Sequence, residues 1–288
     1  MTVYLKQRSY FPHIDYALFS KETMKMDNNH FYKDKALYYE DPPKEVVPKL
    51  YSAKVLSLHP DDFDTWTDIL IELSNKKSFT NLKLIIIHGS DYLIDDTLME
   101  VVNSFLPNTT FWIQNYMGLN LKQNKLLPIG VVCDYNDEIE KKELFNISFV
   151  TYNSFYREEF YQFLNDNDDF TKKYYKMKTD MLTYFKQISE VYFSACPMGN
   201  GFDSHRFWEA LTVKTIPIVK KHTFNEVLRD YFPNLPFIEI ESWDELPKLV
   251  DSLTVEKYNE MMEKADLECL KESYWIEKIN LMQHPINY

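Results

Sequence analysis

The sequence predicts an α/β fold built as two similar halves, and three observations carry the prediction. Short apolar runs of strand length alternate with stretches whose apolar residues recur at helical spacing. The five glycines of this 288-residue chain all fall at strand ends or in the turns that follow them. A charged stretch, "DYNDEIEKKELFN" (134–146), breaks the alternation once, and the pattern then restarts.

In the first half, "AKVLSLH" (53–59) reads as a strand and "DDFDTWTDILIELSNK" as the helix after it. "LKLIIIHG" (82–89) is a buried strand that ends in a glycine. "IDDTLMEVVNSFL" follows as a helix, then "TTFWIQN" and "LLPIGVV" as strands. After the charged break, "ISFVTYNS" reads as a strand, and "FYREEFYQFLNDN" and "KMKTDMLTYFKQIS" as helices. "VYFSACP", "TIPIVK" and "LPFIEIES" are the later strands, with "DSHRFWEALTV" a helix between the first two. "WDELPKLVDSL" and "VEKYNEMMEKADLECLKESYWIEKINLM" close the chain as helices. Strand–helix repetition of this kind implies a parallel sheet, whose ligands lie beyond the carboxyl ends of its strands. The domains expected are residues 1–145 and 146–288.

Composition narrows the function. Hydrophobic residues make up 45%, with 21 tyrosines and 20 phenylalanines, so the chain has ample material for packed cores and does not read as disordered. The net charge of −12, with no long basic run, argues against binding to nucleic acid, which calls for a basic face. Cys133, Cys196 and Cys269 are widely spaced and outside any CxxC pattern, which fits a reducing compartment and gives neither a zinc site nor a disulfide framework. The first residues hold no apolar signal core, and no run approaches the length of a membrane span, so a cytoplasmic protein without a transmembrane segment is expected.

The segment "FSACPMGNGFDSHRFWEAL" (193–211) concentrates chemistry. A strand leads through Gly199-Asn200-Gly201 into a helix that begins near Asp203. Such a turn presents backbone N–H groups at a helix amino end, where the dipole favours an anion. Glycine lets a phosphate approach, and Arg206, one turn in, adds a fork of donors. His205 and Glu209 share a helix face, and Glu209 suits ribose hydroxyls. The plainer reading of the same residues is that Asp203 caps the helix and Arg206–Glu209 is a surface pair. Elsewhere Gly89, Gly118 and Gly130 stand at strand ends, accompanied by His88, Ser90, Asp91, Gln114 and Asn115. Together these clusters point to a ligand cleft, although each residue also has an ordinary structural use.

"FSACPMGNGFDSHRFWEALTVKTIPIV" resembles the donor-site segment of exostosin-type glycosyltransferases and their viral and bacterial relatives. "HGSDY", "FWIQN", "LPIGV", "FVTYNSFYRE" and "IESWDEL" resemble pieces of the same group in the same order, over about residues 82 to 245. The resemblance implies a GT-B fold, two Rossmann-like domains facing across a cleft, with the nucleotide-sugar in the later domain and the acceptor on the earlier one. It assigns donor binding to Gly199, Asn200, Gly201, Asp203, His205, Arg206 and Glu209, with Arg157 as a second diphosphate partner. His88, Ser90, Gln114 and Asn115 fall on the acceptor side. The chain departs from the pattern at Lys214-Thr215, where the family has a glycine after the helix, and it is short for a two-domain transferase.

The implied activity moves a sugar from a nucleoside diphosphate, UDP by the family's habit, to a hydroxyl of a glycan or glycoprotein acceptor. No DxD motif is poised to bridge a diphosphate, since "HPDDFD" reads as a helix start and "DNDDF" as a solvated loop. The resemblance implies a metal-independent, inverting reaction without cofactor, which the absence of a DxD motif fits, with leaving-group charge met by amides and arginine. Asp91 is the candidate base and Asp15 the reserve; Asp91 equally suits a cap on the turn after it. A non-catalytic nucleotide- or glycan-binding protein is the alternative. A Rossmann oxidoreductase fits less well, because "GNG" lacks the third glycine of GxGxxG and sits late in the chain.

Overall fold

The computed structural model describes residues 2–6, 9–25, 30–119, 123–135, 139–149, 157–177 and 180–283. The chain divides into two compact units. The first comprises Gln7–Pro128 with Ser273–Tyr288, and the second Met1–Lys6 with Ile129–Glu272. The change of unit thus falls before Ile129 rather than in the charged stretch, and both ends of the chain cross over. The reason is backbone pairing: Leu5 N–H donates to Leu270 O (2.8 Å), Val131 N–H to Leu5 O (2.9 Å) and Glu272 N–H to Val3 O (3.1 Å).

The first unit is a six-stranded parallel sheet. Its strands are β1 (Tyr16–Phe19), β2 (Ala36–Tyr38), β3 (Val55–Leu58), β4 (Leu84–Ile87), β5 (Thr110–Ile113) and β6 (Asn124–Leu126), in the order β2-β1-β3-β4-β5-β6. Leu84–Ile87 are all buried, as the central strand of a sheet covered on both faces requires. Three helices connect the strands: α1 (Pro43–Ser52), α2 (Phe63–Lys76) and α3 (Asp96–Phe105). Helix α2 buries Trp66 and Leu70, and α3 buries Met99 and Val102. The last helix of the chain, α11 (Glu272–Gln283), brings Trp275 edge-on to Trp112 at 5.1 Å and buries Ile279.

The second unit is a five-stranded parallel sheet of β7 (Glu143–Phe149), β8 (Tyr175–Met177), β9 (Val191–Ala195), β10 (Ile216–Lys220) and β11 (Ile238–Ile240), in the order β11-β10-β9-β7-β8. Its helices are α4 (Glu158–Asp166), α5 (Asp168–Tyr174), α6 (Met181–Ser189), α7 (His205–Thr212), α8 (Thr223–Tyr231), α9 (Leu246–Ser252) and α10 (Val255–Glu263). "DNDDF", read as a loop, contributes the start of α5.

The two sheets share one winding. In each, the second strand lies outside the first, and the chain then returns to add the third, fourth and fifth on the other side. The strand order reverses between β1 and β3 and between β7 and β9, the point beyond whose carboxyl ends parallel sheets of this kind bind their ligands. Among the described residues no helix is long and apolar enough to cross a membrane.

Candidate functional site

The segment singled out by sequence lies at the switch point of the second sheet. β9 ends at Ala195, and Cys196 to Ser204 lead from its carboxyl end to α7. Across the switch point, the connection after β7 leads into α4, whose N-cap residue is Arg157. The Arg157 Nε–H donates to Met198 O at 2.9 Å, so the side chain reaches over the glycine loop. A Cβ added to Gly199 would stand 3.7 Å from Arg157 Nη2 and 3.8 Å from Ser204 Oγ. Gly199 therefore lies under the guanidinium with room to spare, and its φ is not positive. Among the described residues nothing demands a glycine there, whereas close approach of a ligand would.

Helix α7 turns its polar residues inward. Arg206 is 7% exposed and Glu209 4%, which rules out an ordinary surface pair. The Arg206 guanidinium lies 5.4 Å from the centre of the Tyr184 ring. Burial, and then the Glu209 charge, raise the Tyr184 phenol well above its usual range, while burial pushes the Cys196 thiol up to about 12. Burial and then repulsion from Arg206 bring Arg157 down to about 10. Arg157 thus feels the charge of Arg206, a repulsion that an anion between them would relieve. Ser204, the N-cap of α7, makes no side-chain capping bond, so no hydroxyl competes there for the first-turn amides.

Asp203 and His205 hold this helix in place. Asp203 Oδ2 accepts from the Ile129 amide and Oδ1 from the Trp208 indole, both at 2.6 Å. His205 Nδ1–H donates to Gly130 O at 2.8 Å. Asn200 is exposed at the tip of the loop and Gly201 is buried. Of the piece "FVTYNSFYRE", residues 150–156 lie outside the described residues.

Beside the loop is a pocket of about 400 Å³ lined by Glu158, Glu159, Met198, Lys220, Lys221, His222 and Trp243. Lys220 Nζ donates to both oxygens of Glu159, at 2.7 and 2.5 Å. His222 Nδ1 accepts from the Phe224 amide at 3.2 Å, which leaves the proton on Nε2. Its ring stacks on Phe202 of the loop, with centroids 4.1 Å apart. Burial and then the Lys220 charge lower its pKa, keeping the ring neutral at pH 7. Of these lining residues, Glu158, Glu159, Met198, Lys220 and Trp243 fell inside quoted pieces, and sequence reading missed Lys221 and His222. A signal was present in "VKKHTF", a basic turn with histidine between a strand and a helix.

The first unit gathers its predicted residues at the carboxyl ends of β4 and β5. Gly89, at φ +113°, donates its N–H to Gln114 Oε1 (3.2 Å), and Gln114 Nε2 and Asn115 Nδ2 donate to Ser90 O (3.3 and 3.4 Å). These amides pin the turn, and Asp91 emerges from it exposed. His88 is buried, its Nε2 3.1 Å from Ser57 Oγ and 3.2 Å from Tyr32 OH. Sequence reading missed His59, also buried, against which a Cβ on Gly89 would press at 3.0 Å. The cue was that both strands, "SLH" and "IIIH", end in histidine. Asp15 stands apart, at the amino end of β1, where Oδ2 accepts from the Lys54 and Val55 amides (2.6 and 2.8 Å) and ties β1 to β3.

Among the described residues, no group of three or more His, Cys, Asp or Glu side chains is placed to hold a metal ion. The chain matches no protein-family model, and none of the curated proteins matches it.

Proposed function

We propose that the chain is an exostosin-like glycosyltransferase of the GT-B class that moves a sugar from a nucleoside diphosphate, UDP in the first instance, to a glycan hydroxyl. One observation carries the reading. The half-buried Arg157 reaches over the glycine turn at the switch point of a parallel sheet, close enough to the buried Arg206 to feel its charge, beside a pocket that shares Met198 with that turn.

Each part has a task in such a reaction. The diphosphate lies along Gly199–Gly201, between Arg157 and Arg206, and the nucleoside enters the pocket beside Met198 and His222. As the sugar–phosphate bond breaks, negative charge grows on the departing diphosphate, and preorganised guanidiniums and helix amides stabilise it without reorganising. Glu209, buried one turn on from Arg206 in α7, serves as an inner counter-charge, which suits its burial better than a direct bond to ribose. Asp203 and His205 serve by fixing α7. Asp91 takes the proton of the attacking hydroxyl as the acceptor closes on the anomeric carbon. Charge stabilisation of this kind runs without magnesium.

The test is UDP release from UDP-xylose, UDP-glucuronic acid, UDP-galactose and UDP-N-acetylglucosamine in the presence of mixed glycan acceptors and EDTA. Turnover with one donor is expected, falling by about 10²- to 10⁴-fold in Asp91→Asn, the span of lost general-base catalysis. Absence of UDP release from every donor, together with absence of UDP binding, overturns the reading.

A further inference from the structure

We infer that Tyr4 and Leu5, acting with residues 129–131, form a clasp on α7, and that Tyr4 and His205 are positioning residues which set the affinity of the anion site through Arg206. The inference rests on the reading that Arg206 and Arg157 hold a phosphate-bearing ligand, and it adds what keeps Arg206 in place.

Helix α7 has only eight residues, two turns and about 12 Å, too short to resist displacement by its own length. It is gripped at both ends by one pair of segments. At its carboxyl end, Tyr4 OH donates to Thr212 O at 3.1 Å. At its amino end, His205 Nδ1–H reaches Gly130 O at 2.8 Å, and the Ile129 amide reaches Asp203 at 2.6 Å.

The two grips are tied to each other. Leu5 O accepts from the Val131 amide at 2.9 Å, and the Tyr4 amide donates to Asp134 Oδ1 at 3.0 Å. Leu5 itself is anchored on Leu270 O. The fit is close: Gly130 has φ +74°, and a Cβ there would stand 2.3 Å from Leu5 O. None of these bonds belongs to the helix or the sheet. They spend polar side chains on fixing where α7 sits, and Arg206 follows the first residue of that helix.

Asparagine places an amide N–H near the position of His205 Nδ1, so it can replace this one function.

The experiment measures the Kd of inorganic pyrophosphate, and of UDP in parallel, by calorimetry well below the melting temperature. It uses the full chain as wild type, His205→Ala, His205→Asn and Tyr4→Phe, each checked for native near-UV circular dichroism. We expect His205→Ala to raise both Kd values about five- to tenfold, the worth of one positioning hydrogen bond, with His205→Asn returning close to wild type. Tyr4→Phe, which removes a single oxygen, shifts Kd in the same direction and decides the matter if His205→Ala does not fold. A residue that served stability alone would lower the melting temperature and leave Kd unchanged. Wild-type Kd values in folded His205→Ala and Tyr4→Phe overturn the clasp while leaving the anion site intact. If the wild type binds neither pyrophosphate nor UDP, the anion-site reading fails and the clasp's role fails with it.

Discussion

Acidification should loosen the first unit through His88. Burial, and then the nearby His59, hold its pKa near 3, against 6.5 in an unfolded chain. The neutral ring is fixed by Ser57 and Tyr32 and packed edge-on against Tyr10 at 5.6 Å. The unfolded state therefore takes up a proton that the folded state refuses. Stability is fully present above pH 6.5 and is lost as pH falls from 6.5 towards 3. At pH 5 the loss is about 2 kcal/mol, from roughly 1.4 kcal/mol per unit over one and a half units. The window from pH 6.5 to 5 is informative because ordinary carboxylates remain mostly ionised there. Urea unfolding at half-unit steps, in wild type and His88→Gln, isolates the effect. The variant starts less stable but should have a pH slope shallower by nearly one proton. Equal slopes in the two proteins would refute the reasoning.

Three further outcomes follow from local geometry. Lys214, at φ +56°, holds a left-handed turn in which its N–H donates to Leu211 O and its carbonyl accepts from Tyr258 OH, so both bonds use only the backbone of residue 214. Lys214→Gly should add about 1 kcal/mol in urea unfolding by relieving that conformation; an unchanged midpoint contradicts this. Asp203→Ala strands the Ile129 amide and the Trp208 indole N–H and should cost about 2–4 kcal/mol, read as a fall in the unfolding midpoint. Among the described residues Gly199→Ala meets only ordinary contacts, and it should leave stability within about 0.5 kcal/mol of wild type while weakening UDP at least about tenfold, the mark of a glycine kept for a ligand.

What the sequence disclosed depended on how locally each feature is encoded. Leu84–Ile87 announces itself because a strand covered on both faces is continuously apolar. β1 and β2, four and three residues long, carry no run long enough to register. "ISFVTYNS" caught only the end of β7, whose first residues, Glu143–Asn146, fell in the charged stretch because the strand's interior is polar. Asn146 spans Gln187 O (2.7 Å) and Ser194 Oγ (2.9 Å), and Ser148 bonds to Gln187 Oε1 (2.7 Å), so the strand reads as hydrophilic although those side chains are buried. The same stretch supplies Lys141, read as part of a charged break, whose amine lies on Val191 O (2.6 Å) and Thr215 Oγ1 (2.9 Å). Burial, and then the Lys214 charge, lower its pKa to about 7.

The glycine loop and Arg206 were legible because turn, helix start and arginine are sequence neighbours. The pocket was not, since Glu158, His222 and Trp243 come from three separate connections. Nor could spacing reveal that Asp203 reaches back to Ile129, 74 positions earlier. "LPIGV", read as a strand, is not one: its Val131 amide bonds to Leu5 O, an approach that Gly130 permits because a Cβ there would stand 2.3 Å from that oxygen.

The central claim is that Arg157 and Arg206 together hold a nucleoside diphosphate. Calorimetric titration of UDP in EDTA against wild type, Arg157→Ala and Arg206→Ala tests it most directly. The account predicts one site in the wild type without magnesium, and a loss of affinity of at least about thirtyfold in each variant, as the removal of a charge-assisted hydrogen bond implies. Wild-type affinity retained in both folded variants, or no UDP binding by the wild type, would contradict it.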